Sequence, residues 1–199
     1  MKKNELDFLD ELRSIAQLGL NYSKNHYDIE NYKRILELAA NGYEAFTGFP
    51  SEQIKERFTK ELGYITPKIG VNGLLVDEEG KMLLEHRSDD LLWGIPGGWV
   101  DVGEGPEDAI KREFMEEVNL VVEPVEVIKF ITRLPGEFVQ PHTSVHILYH
   151  CKYISGEIKK SHESLELKYL DYTTVKDWHK DHREWAEDAA RYLKKINIS

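Results

Sequence analysis

Apolar positions in the first 63 residues are spaced as they are on helices. Those of the first segment recur every three or four residues: Leu6, Leu9, Leu12, Ile15 and Ala16. This spacing predicts an amphipathic helix. A second helix is expected from Asp28, as N-cap, to the helix-ending pair Asn41-Gly42, and a third from Ser51 to Gly63. Such short helices, with few apolar residues, are expected to pack against the rest of the protein or against a second subunit.

From Lys68 the spacing changes to that of strands. Segments 71–76 and 81–87, joined by a polar turn, predict a hairpin. The further strands that we expect are 91–100, 120–134, 142–154 and 167–170, and the further helices are 106–118 and 181–195. This order predicts an α+β fold with a mixed sheet. We place the domain boundary at 63–67, which gives a helical region over 1–63 and a second domain over 65–199.

Composition and charge exclude several classes of protein. Of the 199 residues, 41% are apolar and 31% charged, so the chain can form a core and is not expected to be disordered. Its apolar runs are far shorter than the roughly 20 residues that a membrane span needs, and acids follow the first lysines where a secretory signal would be apolar. A single cysteine, Cys151, fits a reducing cytoplasm. The net charge of −10 disfavours broad nucleic-acid binding, because phosphates attract Lys and Arg.

Three carboxylates recur on the helix predicted at 106–118. At about 100° per residue, Glu113, Glu116 and Glu117 lie on one face beside an apolar stripe. Clustered like charges repel one another, and oxygen ligands at this spacing suit Mg2+ or Mn2+ together with substrate phosphates. Taken alone, the pattern fits an ordinary solvated acidic face at least as well.

The residues just upstream favour the metal site. The segment 94–105 is rich in glycine, which leaves its backbone open to close approach. From Gly98 to Leu120 the chain reads G-x5-E-x7-R-E-U-x-E-E-x-N-U, where U is a bulky apolar residue. This segment, 98–120, resembles the Nudix box, the signature of hydrolases that cleave nucleoside diphosphates linked to a further moiety X. The one departure is Asn119, where the family has glycine; asparagine also tolerates the left-handed conformation that ends a helix.

The resemblance implies a Nudix fold, a mixed sheet sandwiched between helices, and a metal-dependent pyrophosphohydrolase. The implied ligands of Mg2+ or Mn2+ are Glu113, Glu116, Glu117 and the backbone carbonyl of Gly98. Glu113 and Arg112 would take part in catalysis, Arg112 by orienting the glutamates. Glu104 would tie the loop to the helix, and Gly97 would shape the loop or add a carbonyl ligand. Water activated by the metal would attack one phosphorus of a nucleoside diphosphate derivative.

The identity of the general base is open between a box glutamate and an acid outside the box, because several Nudix subfamilies take the base from a loop outside it. Outside the box, Glu163 and Glu166 are the candidates, and we favour Glu163; the alternative for it is an ordinary exposed loop acid. Arg87 ends a predicted strand shortly before the box and is placed to bind a substrate phosphate or to form a surface ion pair. Phe138, on a predicted loop, is a candidate for covering a nucleobase.

The N-terminal helices carry a second, less specific resemblance. Segment 15–22, followed by Tyr27, Asp28 and Tyr32, is similar to a helical extension in a bacterial Nudix subgroup that acts on ADP-ribose or CDP-choline and is dimeric. We therefore expect a homodimer, with CDP-choline or ADP-ribose as favoured substrates and sugar nucleotides or RNA as alternatives. The rival hypothesis is a noncatalytic nucleotide-binding sensor, for which an intact set of box glutamates is unusual.

Overall fold

A computed structural model describes residues 4–60 and 65–196 of the chain. The helices are α1 (Glu5–Tyr22), α2 (His26–Thr47), α3 (Ser51–Lys60), α4 (Pro106–Glu113) and α5 (His182–Lys195). The strands are β1 (Lys68–Leu74), β2 (Met82–Arg87), β3 (Trp93–Gly94), β4 (Leu120–Arg133), β5 (Ser144–Gly156) and β6 (Ser164–Leu170). The chain divides into two compact units, one of 1–68 with 133–144 and one of 69–132 with 145–199. None of the helices in the described ranges is long and apolar enough to span a membrane.

The first unit contains α1, α2 and α3 around a small core of its own. Buried apolar side chains from all three helices form this core: Leu6, Leu9, Ala16, Leu36, Ala40, Tyr43, Ile54 and Phe58. α1 begins at Asn4, whose side chain accepts a hydrogen bond from the N–H of Asp7 at 2.9 Å, while the carboxylate of Asp7 accepts one from the N–H of Asn4 at 3.4 Å. This capping box satisfies two N–H groups that the helix itself leaves free. The three predicted N-terminal helices are confirmed.

The expected end of the second helix at Asn41-Gly42 is wrong. α2 continues to Thr47, and its C-cap is Gly48, which has a φ of 69°. Gly42 instead allows α1 and α2 to approach each other closely, since a Cβ there would lie 2.4 Å from Cδ2 of Leu9. A glycine that is needed for helix packing and one that ends a helix look the same in a single sequence.

The other predicted helix ends also need correction or lie outside the described residues. The N-cap of α2 is Asn25 rather than Asp28, because the side chain of Asn25 accepts a hydrogen bond from the N–H of Tyr27 at 2.9 Å. Gly63, the expected end of the third helix, falls in the range 61–64 that the structure does not describe.

The segment 133–144 joins the first unit, which the sequence did not indicate. The side-chain amide of Asn4 donates to the carbonyl of Pro135 at 2.6 Å. The hydroxyl of Tyr43 donates to the carbonyl of Pro141 at 3.2 Å and to the carboxylate of Asp10 at 3.0 Å. Hydrogen bonds to both ends of the segment therefore hold it against α1 and α2.

The second unit places strands between helices. The strand orders are β1-β5-β4 and β3-β2-β6, with β2 antiparallel to both of its neighbours. Successive residues of a strand point to opposite sides, and this alternation produces two cores. One core joins Leu83 of β2 to Ile110 of α4, and the other joins Leu84 of β2 to Trp185 of α5. The α+β class and the closing helix are confirmed.

The predicted hairpin forms only close to its turn. Val76 bridges to Met82, and the N–H of Leu83 donates to the carbonyl of Leu75 at 2.8 Å. β1 then pairs with β5, whereas β2 pairs with β3 and β6, so the two strands enter different sheets. The strand expected at 91–100 shortens to β3, and Pro96, which lacks an N–H, follows soon after.

The helix predicted at 106–118 is α-helical only over its first eight residues. α4 ends at Glu113, and residues 114–118 form a π-helical segment that we call the π turn. Asn119 follows with φ 62° and ψ 35°, so the left-handed conformation expected at this position is confirmed. Because hydrogen bonds in a π-helix span five residues, the positions calculated at 100° per residue do not hold for Glu116 and Glu117.

Candidate active site

Main-chain hydrogen bonds hold the glycine-rich loop along β1. The N–H of Val71 donates to the carbonyl of Gly98 at 2.8 Å. The N–H of Val100 donates to the carbonyl of Ile69 at 2.9 Å. Just before these bonds, Gly97 has a φ of 142°, and a Cβ on it would lie 2.1 Å from the carbonyl oxygen of Val71. The loop backbone therefore lies directly on the strand, at a distance that only glycine allows.

Glu117 connects this loop to the π turn. Its Oε2 accepts a hydrogen bond from the N–H of Gly97 at 2.9 Å, and the residue is only 5% exposed. Burial raises the pKa of Glu117 to about 9; the charges of Glu85 and Glu113 add to the shift, and the bond from Gly97 opposes it. Glu117 therefore holds a proton at neutral pH unless a cation nearby favours its ionised form.

Arg112 donates hydrogen bonds to three glutamates and one main-chain carbonyl of the box. Its guanidinium donates to both carboxylate oxygens of Glu104 at 2.9 Å. Its Nη1 also donates to Glu113 at 2.9 Å and to Glu116 at 3.1 Å, and its Nη2 donates to the carbonyl of Trp99 at 3.0 Å. The hydrogen bonds to Glu104 are the largest cause of the raised pKa of Arg112, and they lower the pKa of Glu104. One side chain thus links the loop to the helix.

Glu113 lies against Gly98. A Cβ on Gly98 would be 2.5 Å from Oε1 of Glu113, so the absence of a side chain makes room for the carboxylate. Glu113 is 9% exposed, and burial raises its pKa in spite of the opposing hydrogen bond from Arg112. Glu113 and Glu117 are therefore buried acids that both lie beside the loop backbone.

A third buried acid, which the sequence did not indicate, belongs to this group. Glu85 on β2 is 1% exposed, and its Oε1 accepts a hydrogen bond from the hydroxyl of Ser164 at 2.7 Å. Burial raises the pKa of Glu85; the bond from Ser164 and the charge of Arg87 oppose the shift, and the charge of Glu163 adds to it. The available signal was a single acid directly after the apolar run 82–84.

The two candidate bases have different surroundings. The charge of Glu163 adds to the raised pKa values of both Glu85 and Glu113, so Glu163 lies within electrostatic reach of the buried acids. Glu166, on β6, forms an exposed ion pair of 3.8 Å with Lys168. The structure thus relates Glu163, rather than Glu166, to the box glutamates.

Arg87 lies at the end of β2 between exposed and buried acids. Its Nε and Nη2 donate to the two carboxylate oxygens of Asp89 at 3.0 and 2.8 Å, and its Nη1 is 3.9 Å from Oε2 of Glu85. Burial lowers the pKa of Arg87, but Asp89, with help from Glu85 and Glu117, raises it overall. The predicted ion pair is therefore present, and the same guanidinium is electrostatically coupled to the box.

Phe138 belongs to the first unit, in the segment 133–144. It has a φ of 52°, and the guanidinium of Arg133 lies 5.4 Å from the centre of its ring. Its expected role in covering a nucleobase stays a prediction.

The donor atoms of this group suit a hard divalent cation. Carboxylate and carbonyl oxygens are the ligands that Mg2+ and Mn2+ prefer. Within the described residues, no three His, Cys, Asp or Glu side chains converge closely enough to hold an ion, and both Glu113 and Glu116 accept hydrogen bonds from Arg112. The carbonyl of Gly98 accepts the N–H of Val71 and keeps a second lone pair. The chemistry of the donor set therefore fits a cation, and the carboxylates must move closer together to bind it.

Comparisons with known proteins cover both parts of the chain. The NUDIX domain model matches residues 66–190, and the model described as "UDP-X-like, N-terminal oligomerisation domain" matches residues 3–58. A candidate ADP-ribose pyrophosphatase of Bacillus subtilis, YjhB, is 31% identical over 153 residues, which are 76% of this chain and 73% of that protein. An ADP-ribose pyrophosphatase of Methanocaldococcus jannaschii is 28% identical over 143 residues, 70% of this chain and 83% of that protein.

Solved structures resemble the chain as well. A UDP-X diphosphatase has a TM-score of 0.60 at 20% identity and covers 96% of this chain and 94% of its own. A MutT protein from Methanosarcina mazei has a TM-score of 0.56 at 23% identity, with coverage of 66% and 99%. At these identities the likeness concerns the fold, and it confirms the expected Nudix fold preceded by a helical region. The chain therefore belongs to the NUDIX family of hydrolases.

Proposed function

We propose that the protein is a divalent-cation-dependent pyrophosphohydrolase that cleaves a nucleoside diphosphate derivative into a nucleoside monophosphate and a phosphorylated remainder. The observation that carries this proposal is the pair of buried carboxylates, Glu113 and Glu117, held against the backbone of Gly97 and Gly98. A solvated acidic face would leave these carboxylates exposed. Buried acids with raised pKa values beside an open loop backbone are typical of catalytic sites.

The residues of the box would bind the cation and hold one another in position. The proposed ligands are Glu113, Glu116, Glu117 and the carbonyl of Gly98. Bound Mg2+ or Mn2+ supplies neutralisation of the diphosphate charge and makes water more acidic. Arg112 orients Glu113 and Glu116, since its Nη1 donates to both, and Glu104 fixes Arg112 through two parallel bonds.

Glu163 is the proposed general base. Its side chain is 57% exposed, and its charge acts on Glu85 and Glu113, which supports a position between solvent and the buried acids. The carboxylate would take the proton of the attacking water. Arg87 would bind a substrate phosphate by exchanging the exposed carboxylate of Asp89 for phosphate oxygens, which match its paired donors equally well.

The comparisons support two of the three candidate substrates. ADP-ribose is favoured, because two relatives are named for it. A UDP-linked compound follows next, because a UDP-X diphosphatase resembles the chain over nearly its whole length. CDP-choline is supported by the sequence resemblance alone.

A panel of these three compounds and 5′-triphosphorylated RNA tests the proposal. The assay measures product formation at millimolar Mg2+, and we expect ADP-ribose to give AMP and ribose 5-phosphate. Binding without turnover on every compound would instead support a nucleotide sensor.

The exposed face of α1 supports a homodimer. Phe8, Ile15 and Tyr22 are exposed apolar residues at intervals of seven, so they lie along one side of the helix. The matching model for this region is described as an oligomerisation domain. In sedimentation experiments on the full chain, Ile15→Glu should give a monomer, whereas Phe130→Glu, an equally apolar exposed site on β4, should leave the dimer intact. A dimeric Ile15→Glu protein would contradict this assignment.

A further inference from the structure

Glu85 is more deeply buried than any of the box glutamates. It is 1% exposed, compared with 5% for Glu117 and 9% for Glu113. A buried carboxylate is costly unless hydrogen bonds and opposite charges compensate it. Glu85 lies outside the box, in the middle of the sheet formed by β3, β2 and β6.

The strand alternation directs Glu85 to the side of α4. Leu83 packs in the core that contains Ile110 of α4, while Leu84 packs in the core of α5. Residues two apart on a strand share a face, so the side chain of Glu85 points to the same side as that of Leu83. α4 and the π turn carry Glu113 and Glu117 on this side.

The contacts of Glu85 compensate its charge only in part. The hydroxyl of Ser164 donates to Oε1 at 2.7 Å, which is a neutral donor. Arg87 is 3.9 Å from Oε2, but its two parallel bonds go to Asp89. The buried region therefore contains more acidic than basic groups, and a divalent cation would favour their ionised forms.

We propose that Glu85 is a positioning residue of the cation site, whose buried charge raises the affinity of Glu113 and Glu117 for a divalent cation without Glu85 being a ligand. This inference rests on the cation dependence in the proposed function and extends it to a residue outside the box. A unit charge at this depth, which acts on Glu117, should change the affinity about tenfold.

Titration of the full-length protein with Mn2+, without substrate, tests the inference. Free Mn2+ is measured by electron paramagnetic resonance for the wild type, Glu85→Gln and Glu78→Gln. Glu78 is an exposed turn residue, so its variant loses the same charge at the surface. We expect Glu85→Gln to weaken Mn2+ binding about tenfold and Glu78→Gln to change it less than about twofold.

Thermal unfolding separates this role from a merely structural one. In EDTA, Glu85→Gln should melt at or above the wild-type temperature, since it removes a carboxylate that is costly to bury in its ionised form. Saturating Mn2+ should then raise its melting temperature less than that of the wild type. Lower melting in both conditions with unchanged Mn2+ affinity would overturn the inference.

Two further variants keep the test decisive. Glu85→Asp retains the charge and should bind Mn2+ nearly as the wild type does. Glu85→Met is the neutral variant if Glu85→Gln does not fold, because methionine is of similar length and needs no hydrogen bond. Wild-type Mn2+ affinity in a folded neutral variant overturns the role of Glu85 alone, whereas a wild type that binds no Mn2+ overturns both this inference and the proposed cation dependence.

Discussion

The N–H of Gly97 donates to Oε2 of Glu117 at 2.9 Å, across 20 residues of sequence. This bond joins the loop that lies on β1 to the π turn that follows α4. It places the carboxylate of Glu117, whose pKa burial raises to about 9, directly at the loop backbone. Hydrogen bonds and close contacts therefore connect the loop, the helix and the buried acids. Substitutions that disturb any of these contacts should lower catalytic activity.

Gly98→Ser should remove most activity. The new Cβ would lie 2.5 Å from Oε1 of Glu113, so the carboxylate must move, and displacements of this kind cost about 100-fold in turnover. The matched control is Gly105→Ser, at the N-cap of α4, where the nearest atom to a Cβ is 3.5 Å away and serine is a favourable cap. Steady-state kinetics on both variants checks this, and equal activities would contradict the geometry described.

Arg112→Lys should lower both stability and turnover. Lysine cannot reproduce the two parallel bonds to Glu104 together with those to Glu113 and Glu116, so we expect a loss of about 2 kcal/mol in the free energy of unfolding. Lys111→Ala removes the neighbouring cation, whose ion pair with Glu123 is exposed, and should cost less than about 1 kcal/mol. Urea denaturation in EDTA distinguishes the two; similar losses would mean that Arg112 acts as an ordinary surface charge.

The stability of the cation-free protein should fall as the pH rises. Glu117 has a pKa of about 9 in the folded protein, against a usual value of 4.5, so the folded state binds more protons than the unfolded state between these pH values. Stability then decreases with rising pH, by at most about 1.4 kcal/mol per pH unit for this group. Thermal unfolding in EDTA from pH 6 to pH 9 should show a steeper decline for the wild type than for Glu117→Gln. Parallel curves would show that Glu117 is ionised throughout.

Glu163→Gln should reduce kcat about 100-fold with little change in KM, since a general base acts on the chemical step. Glu166→Gln, in the exposed pair with Lys168, should stay within about twofold of the wild type. The reverse order of effects would assign the base to Glu166.

The sequence predicted the helices, most strands and the box, because each rests on local spacing. Gly98, Arg112 and Asn119 could be interpreted from the motif, and Asn119 adopts the expected left-handed conformation. The end of α2 could not be predicted, since the need for Gly42 arises only when Leu9 packs against it. The π turn could not be predicted either, because its hydrogen-bonding pattern has no sequence period of its own.

The role of Glu85 could not be predicted from the sequence for a different reason. Its importance depends on a tertiary arrangement, in which β2 and α4 share a core and Ser164 arrives from β6. From the sequence alone, an acid at a strand end is most simply interpreted as an exposed residue. Likewise, the pairing of β1 and β2 with different partners follows from long-range contacts that the hairpin pattern does not contain.

The most direct test of the central claim is the rate of nucleoside monophosphate release from the best substrate, measured with wild-type protein and Glu117→Gln in millimolar Mg2+ and in EDTA. We predict rapid release only for the wild type in Mg2+, with background rates in the other three conditions. Equal rates for the wild type in Mg2+ and in EDTA, or for Glu117→Gln and the wild type in Mg2+, would contradict a cation-dependent pyrophosphohydrolase built on the buried box glutamates.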